Sequence, residues 1–151
     1  MRTVLTLCIV QQGSRVLLGL KKRGFGVGRW NGFGGKIRPG ETVEQAAGRE
    51  LEEEAGIVPQ SLKSRGLLLF TFEGQEEEFE VPVFSVTEFT GEIKESEEMR
   101  PQWFLPTEIP FADMWPDDIH WLPHFLTGKS VRGYFHFKDP NTILDYELET
   151  F

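Results

Sequence analysis

The stretch Gly35-Lys36-Ile37-Arg38-Pro39-Gly40-Glu41-Thr42-Val43-Glu44-Gln45-Ala46-Ala47-Gly48-Arg49-Glu50-Leu51-Glu52-Glu53-Glu54-Ala55-Gly56-Ile57 decides how this chain is read. Thr42 is a suitable N-cap, the pattern predicts a helix over 42–55, and Gly56 suits the position just beyond its end. At about 100° per residue, Ala47, Leu51 and Ala55 share an apolar stripe. Glu50, Glu53 and Glu54, at i, i+3 and i+4, crowd an adjacent face. Like charges at this spacing repel, and acids at a helix C-terminus oppose its dipole. Stability gives no reason for the arrangement. A hard divalent cation does, because it takes several carboxylate oxygens. The plain alternative is a solvated acidic face, with Arg49 as an i+4 partner for Glu53. The loop before the helix favours the cation. Residues 23–40 hold Gly24, Gly26, Gly28, Gly32, Gly34, Gly35 and Gly40, and glycine backbone can turn sharply or approach a ligand closely. Such a loop beside carboxylates suits a metal–polyphosphate site.

Working outward, residues 3–11 and 15–21 are apolar runs joined at Gln12-Gly13-Ser14, which reads as a hairpin. Strands are predicted over 65–73, 79–87 and 100–105, and a short helix over Pro116–Phe125. Arg132–Lys138 and Ile143–Leu148 form a closing hairpin around Asp139-Pro140-Asn141. Strands and two helices in this order give an α/β domain with a mixed sheet. At 151 residues, 1–151 is read as a single domain.

The net charge of −8 argues against a nucleic-acid polymer as partner, since that needs a basic stripe. It leaves room for one small polyanion held by metal and a few local cations. The single cysteine, Cys8, sits in an apolar run and reads as a buried small hydrophobe. No apolar run reaches the length of a membrane span, and Met1 to Val10 reads as a strand rather than a targeting signal. A monomer in the cytosol is expected, with nucleus and mitochondrion left open.

Gly35, Glu41, Arg49-Glu50-Leu51, Glu53-Glu54 and Gly56-Ile57 match every fixed position of the Nudix box, nine positions over 23 residues. The chain therefore resembles the Nudix hydrolases. The resemblance implies an α/β/α sandwich with a loop–helix–loop catalytic motif. It implies Mg²⁺, with Mn²⁺ as a substitute, bound by Glu50, Glu53 and Glu54 and by the Gly34 carbonyl. Arg49 would orient a glutamate, and Glu41 would support the loop. Bound metal lowers the pKa of water, and Glu54 is the favoured base. Glu98, just before a strand, is the candidate for a further ligand or base; its plain alternative is an exposed loop acid.

The box names a bond and leaves the substrate to other segments. Lys21-Lys22-Arg23-Gly24-Phe25-Gly26, Gly28-Arg29-Trp30-Asn31-Gly32-Phe33-Gly34-Gly35-Lys36, Asp113-Met114-Trp115-Pro116-Asp117-Asp118 and Thr142-Ile143-Leu144-Asp145-Tyr146 resemble the animal MutT homologues. These hydrolyse oxidised purine nucleoside triphosphates, and the likeness implies 8-oxo-dGTP and 2-oxo-dATP, with methylated purines as further candidates. Products would be the monophosphate and pyrophosphate. A dinucleoside polyphosphate or ADP-ribose as substrate, or a module that binds nucleotides without turnover, are the competing readings.

The residues suit a purine pocket. Trp115 offers a stacking face and Phe25 can face or cap it. Asn31 carries both a donor and an acceptor. Two adjacent carboxyls, Asp117 and Asp118, resist double ionisation, so one keeps a proton and the pair can both donate and accept. Capping of the helix after Pro116 is the plain alternative for them. Phe70 and Phe72 share one strand face and would form the floor. By resemblance Thr6 and Lys21 line the pocket, and Phe33, Gly34, Gly35 and Pro116 belong to its segments. Lys36 could meet phosphate. Phe79 stands where the resemblance leads one to expect methionine, a stiffer ring for a flexible thioether.

Overall fold

The computed structural model describes residues 1–151. The N-terminal apolar runs form β1 (Arg2–Val4), β2 (Leu7–Gln12) and β3 (Arg15–Lys21). The expected single strand over 3–11 is therefore two. Its break at Leu5-Thr6 falls where the glycine-rich loop comes alongside: the Thr6 N–H donates to the Gly35 carbonyl at 2.8 Å. The later strands are β4 (Trp30–Asn31), β5 (Ile57–Pro59), β6 (Lys63–Phe72), β7 (Glu78–Val86), β8 (Phe89–Gly91), β9 (Met99–Phe104), β10 (Val131–Asp139) and β11 (Thr142–Thr150).

One sheet runs β11-β10-β6-β7-β2-β3-β4, with β1 also on β7 and β9 also on β3; β5 and β8 form a separate pair. Parallel pairs (β2 with β7, β10 with β6) sit among antiparallel ones, so the sheet is mixed. The helices are α1 (Val43–Ala55) and α2 (Asp118–Leu126). The second begins two residues later than Pro116, because Pro116 and Asp117 shape the turn into it.

Period-2 alternation decides what each helix covers. On β2 and β3, Cys8, Val10 and Leu17 point to one side, where they pack with Ala47, Leu51 and Ala55 of α1. Ile9, Val16 and Leu18 point to the other, where they join Trp121, Leu122 and Phe125 of α2. A helix on each sheet face makes the α/β/α sandwich. The sequence sets the ends of α1 as expected. Thr42 Oγ1 accepts from the Gln45 N–H at 3.1 Å, and Gln45 Oε1 accepts from the Thr42 N–H at 2.9 Å. Gly56, at φ 80°, ends the helix in a conformation that a side chain would strain. The start of α1 and the loop before it are thus fixed against β2.

Candidate active site

The glycine-rich loop is pressed between β2 and α1. A Cβ on Gly34 would collide with the Thr6 carbonyl, and one on Gly35 would lie 2.7 Å from the Glu50 carboxyl group. Only glycine fits at 34, against backbone, while a side chain at 35 would displace the Glu50 carboxylate. This contact lets the Gly34 N–H donate to Glu54 Oε1 at 2.8 Å. Glu54 is 5% exposed, and burial pushes its pKa up to about 8. The charges of Glu50 and Glu98 push the same way, while the Gly34 hydrogen bond and Lys21 oppose them.

Arg49 organises the remaining acids. It grips Glu41 with two bonds of 2.6 and 3.0 Å and reaches Glu50 at 2.9 Å and Glu53 at 3.3 Å. It also donates to the Lys36 carbonyl at 3.0 Å. Glu41 accepts from the Arg38 N–H as well. Arg49 and that N–H hold its carboxyl down at about 2. Glu41 thus braces the loop through Arg49.

No three acidic side chains converge on one point. Glu50 and Glu53 turn to Arg49, and Glu53 also reaches Arg38, as like charges do when arginines are at hand. Glu98 is paired with cations, Arg23 at 2.7 Å and Lys21 at 3.8 Å, and its charge is still felt by Glu54. The Arg23 hydrogen bond, with further help from Lys21, lowers its pKa, which makes it a weaker base. Glu50, Glu53 and Glu54 nonetheless suit a divalent cation. All are hard oxygen donors, and Glu54 is a buried carboxyl whose ionised form a nearby cation would stabilise against its burial.

A cavity of about 480 Å³ extends from Glu54 to Asp117 and Asp118. Of the residues expected there, Thr6, Lys21, Phe25, Asn31, Gly34, Gly35, Lys36, Phe70, Phe72, Trp115, Asp117 and Asp118 line it. Phe33 and Pro116 do not. Gly32 and Gly34 face the cavity, so alternation turns Phe33 the other way, fully buried under α1. Pro116 instead occupies the turn before α2. The Phe25 ring meets Trp115 at 5.1 Å between centroids, tilted by 42°.

The aspartates are not caps, for Asp117 makes no capping hydrogen bond. Its Oδ2 accepts from Trp121 Nε1 at 2.8 Å. Burial pushes Asp117 up to about 6 and Asp118 well above the carboxylate range. The charge of Asp117 and the hydrogen bond between the two raise Asp118 further. Both carboxyls are thus pushed toward the protonated form, Asp118 by its neighbour as well as by burial. Sequence reading missed the apolar wall of Leu5, Leu7, Ile9, Leu18 and Met99, and also Trp121. The i, i+2 spacing on β2 and the i+4 spacing from Asp117 were the available signals.

An α/β/α sandwich with a glycine loop laid on a glutamate-bearing helix defines a class, and the NUDIX domain pattern matches residues 1–125. The chain belongs to the Nudix family. Proteins of this family generally act with a divalent metal ion. The chain is 54% identical to the oxidized purine nucleoside triphosphate hydrolase of Mus musculus, over 95% of this chain and 92% of that protein. Identity to the Danio rerio protein of the same name is 51%, over 97% and 94%. The crystal structure of a MutT protein from Bacillus halodurans superposes with a TM-score of 0.86 at 30% identity, covering 97% of each chain.

Proposed function

We propose that this chain hydrolyses oxidised purine nucleoside triphosphates, 8-oxo-dGTP and 2-oxo-dATP among them, to the monophosphate and pyrophosphate. Damaged bases are thereby kept out of the nucleotide pool. The observation that carries this reading is one cavity that joins Glu54 of the glutamate-bearing helix to the buried pair Asp117 and Asp118. The names of the mouse and zebrafish relatives support it. Mg²⁺ is the cation proposed, held by Glu50, Glu53 and Glu54 with the Gly34 carbonyl. Bound there, it neutralises phosphate oxygens and acidifies water.

The chain's own groups do the rest. Glu54 takes the proton of the attacking water, and Arg49 keeps Glu50 and Glu53 aligned. Lys21 and Lys36 bring positive charge to the phosphate end of the cavity. Trp115 stacks on the base and Phe25 caps the mouth. Asp118 donates a hydrogen bond to the base edge and Asp117 accepts one. The substrate is a free nucleotide rather than a polymer, consistent with the net charge of −8, and the enzyme is proposed to work as a cytosolic monomer.

The test is pyrophosphate release from 8-oxo-dGTP, 2-oxo-dATP and unmodified dGTP, with Mg²⁺ or with EDTA. Metal-dependent release that favours the oxidised nucleotides is expected. Turnover of none of them by folded, metal-loaded protein would overturn the reading.

A further inference from the structure

Arg29 lies outside the cavity yet is tied to its recognition wall. The loop between β3 and β4 is closed by the Lys21 N–H donating to the Arg29 carbonyl and the Gly28 N–H donating to the Lys21 carbonyl, both at 2.9 Å. From this loop the Arg29 side chain crosses to the turn between β10 and β11. One guanidinium nitrogen donates to the Pro140 carbonyl at 2.8 Å and another to Asn141 Oδ1. Along the way its Cζ lies over the Trp115 ring, 4.4 Å from the centroid. Trp115 lines the cavity and Arg29 does not, so the guanidinium covers the indole from behind.

We infer that Arg29 is a positioning residue for base recognition: pinned to the Pro140–Asn141 turn, its guanidinium holds the Trp115 indole as the stacking wall. This rests on the proposed purine pocket and says how that pocket is held. The planar guanidinium can bond the turn in its own plane while presenting its face to the indole, which an ammonium cannot do. Its charge also favours the ionised form of Asp117, where it opposes burial. The other groups facing the pair are the Trp121 N–H and, across the cavity, Lys21, Lys36 and Glu54. Arg29 thus ties the stacking wall to the carboxyl pair beside it, on whose member Asp117 its charge acts.

The experiment is calorimetric titration with the nucleoside 8-oxo-deoxyguanosine, which carries no titrating phosphate and needs no metal, from about pH 5 to 8. Binding that uses ionised Asp117 weakens as pH falls through the Asp117 pKa. Removing the positive charge raises that pKa, so the acid limb should move to higher pH. Arg29→Met is expected to weaken binding by about tenfold near neutral pH, the size of a partly desolvated cation–π contact, and to shift the limb upward. Arg29→Lys should leave the limb near its original place with an intermediate affinity. Asn141→Ala, which loosens the tether without touching the pocket, should weaken binding by about twofold. Arg29→Met binding as the parent does, or losing affinity equally at every pH and matching Arg29→Lys, would overturn the role of Arg29 and leave the pocket standing. A parent protein that does not bind the nucleoside would overturn the purine pocket and this inference together.

Discussion

Two pairs of neighbouring acids can be set side by side. At the C-terminal end of α1, Glu50 and Glu53 lie within 2.9 and 3.3 Å of Arg49. At the start of α2, Asp117 and Asp118 are buried with no salt-bridge partner, and a tryptophan N–H is the neighbour. The same functional group meets opposite surroundings. Arginines hold the first pair laterally at the surface, where its oxygens can meet a cation. Burial raises the pKa of both members of the second pair, which suits them to the hydrogen-bonding edge of a base. Glu54 stands between the two cases. It is on the charged helix but as buried as the aspartates, and burial raises its pKa to about 8.

The largest effect should come from the charged end. Glu54→Gln keeps the Gly34 hydrogen bond but removes the base, and should lower kcat by about 10²–10⁴-fold with KM little changed. Chelation with EDTA should abolish turnover outright. Steady-state kinetics decide both, and a kcat within about tenfold of the parent would move the base elsewhere. At the neutral end, Asp117→Asn should change the ratio of 8-oxo-dGTP to 2-oxo-dATP turnover by roughly tenfold, since one bidentate contact discriminates by about 1–3 kcal/mol. Equal losses on both nucleotides would mean that the pair does not read the base edge.

The comparison also fixes a sign for stability. Glu54 and Asp117 have raised folded pKa values, about 8 and about 6. Each contributes stability that is complete below its unfolded value and lost as pH rises through the folded one. Glu41 is held at about 2, so its contribution appears above its unfolded value and disappears as pH falls through about 2. Metal-free protein should therefore lose on the order of 5 °C in Tm between about pH 5 and 8. Glu54→Gln should flatten the part of that fall above about pH 6, and a divalent cation should reverse it in the parent alone. A thermal-denaturation series with a Tm rising through this range would contradict the burial-driven shifts.

Much of this was legible beforehand, for reasons that differ by residue. The bounds of α1 rest on local chemistry, a Thr42–Gln45 capping box and Gly56 in a left-handed conformation, and local chemistry is readable. The sheet hairpins follow from alternation and turn residues. Three things were not local. The break at Leu5-Thr6 depends on Gly35, and the inward turn of Phe33 depends on its antiparallel bridge to Cys8. The pairing of Glu98 depends on Arg23, 75 positions away in sequence. Each is set by a long-range partner that no window of sequence contains. β4, β5 and β8 escaped notice because strands of two or three residues carry too little period to register.

The smallest effect tests the other side of the same comparison. If the polar end of the cavity decides which base is accepted, the apolar wall should alter fit and little else. Phe79 is the place to ask. It lines the cavity and meets Phe72 edge-on, with centroids 6.1 Å apart and planes at 87°. Phe79→Met loses that aromatic contact, worth about 0.5–1.5 kcal/mol, and regains part of it through thioether packing. Tm should fall by only about 1–3 °C. A flexible side chain there yields to a bulkier purine, so KM should fall for methylated purine nucleotides and rise slightly for 8-oxo-dGTP, each within about threefold. The ratio of 8-oxo-dGTP to 2-oxo-dATP turnover should stay as it was, because neither edge is read by the wall. A change in that ratio as large as the one from Asp117→Asn would move recognition from the aspartates to the shape of the cavity.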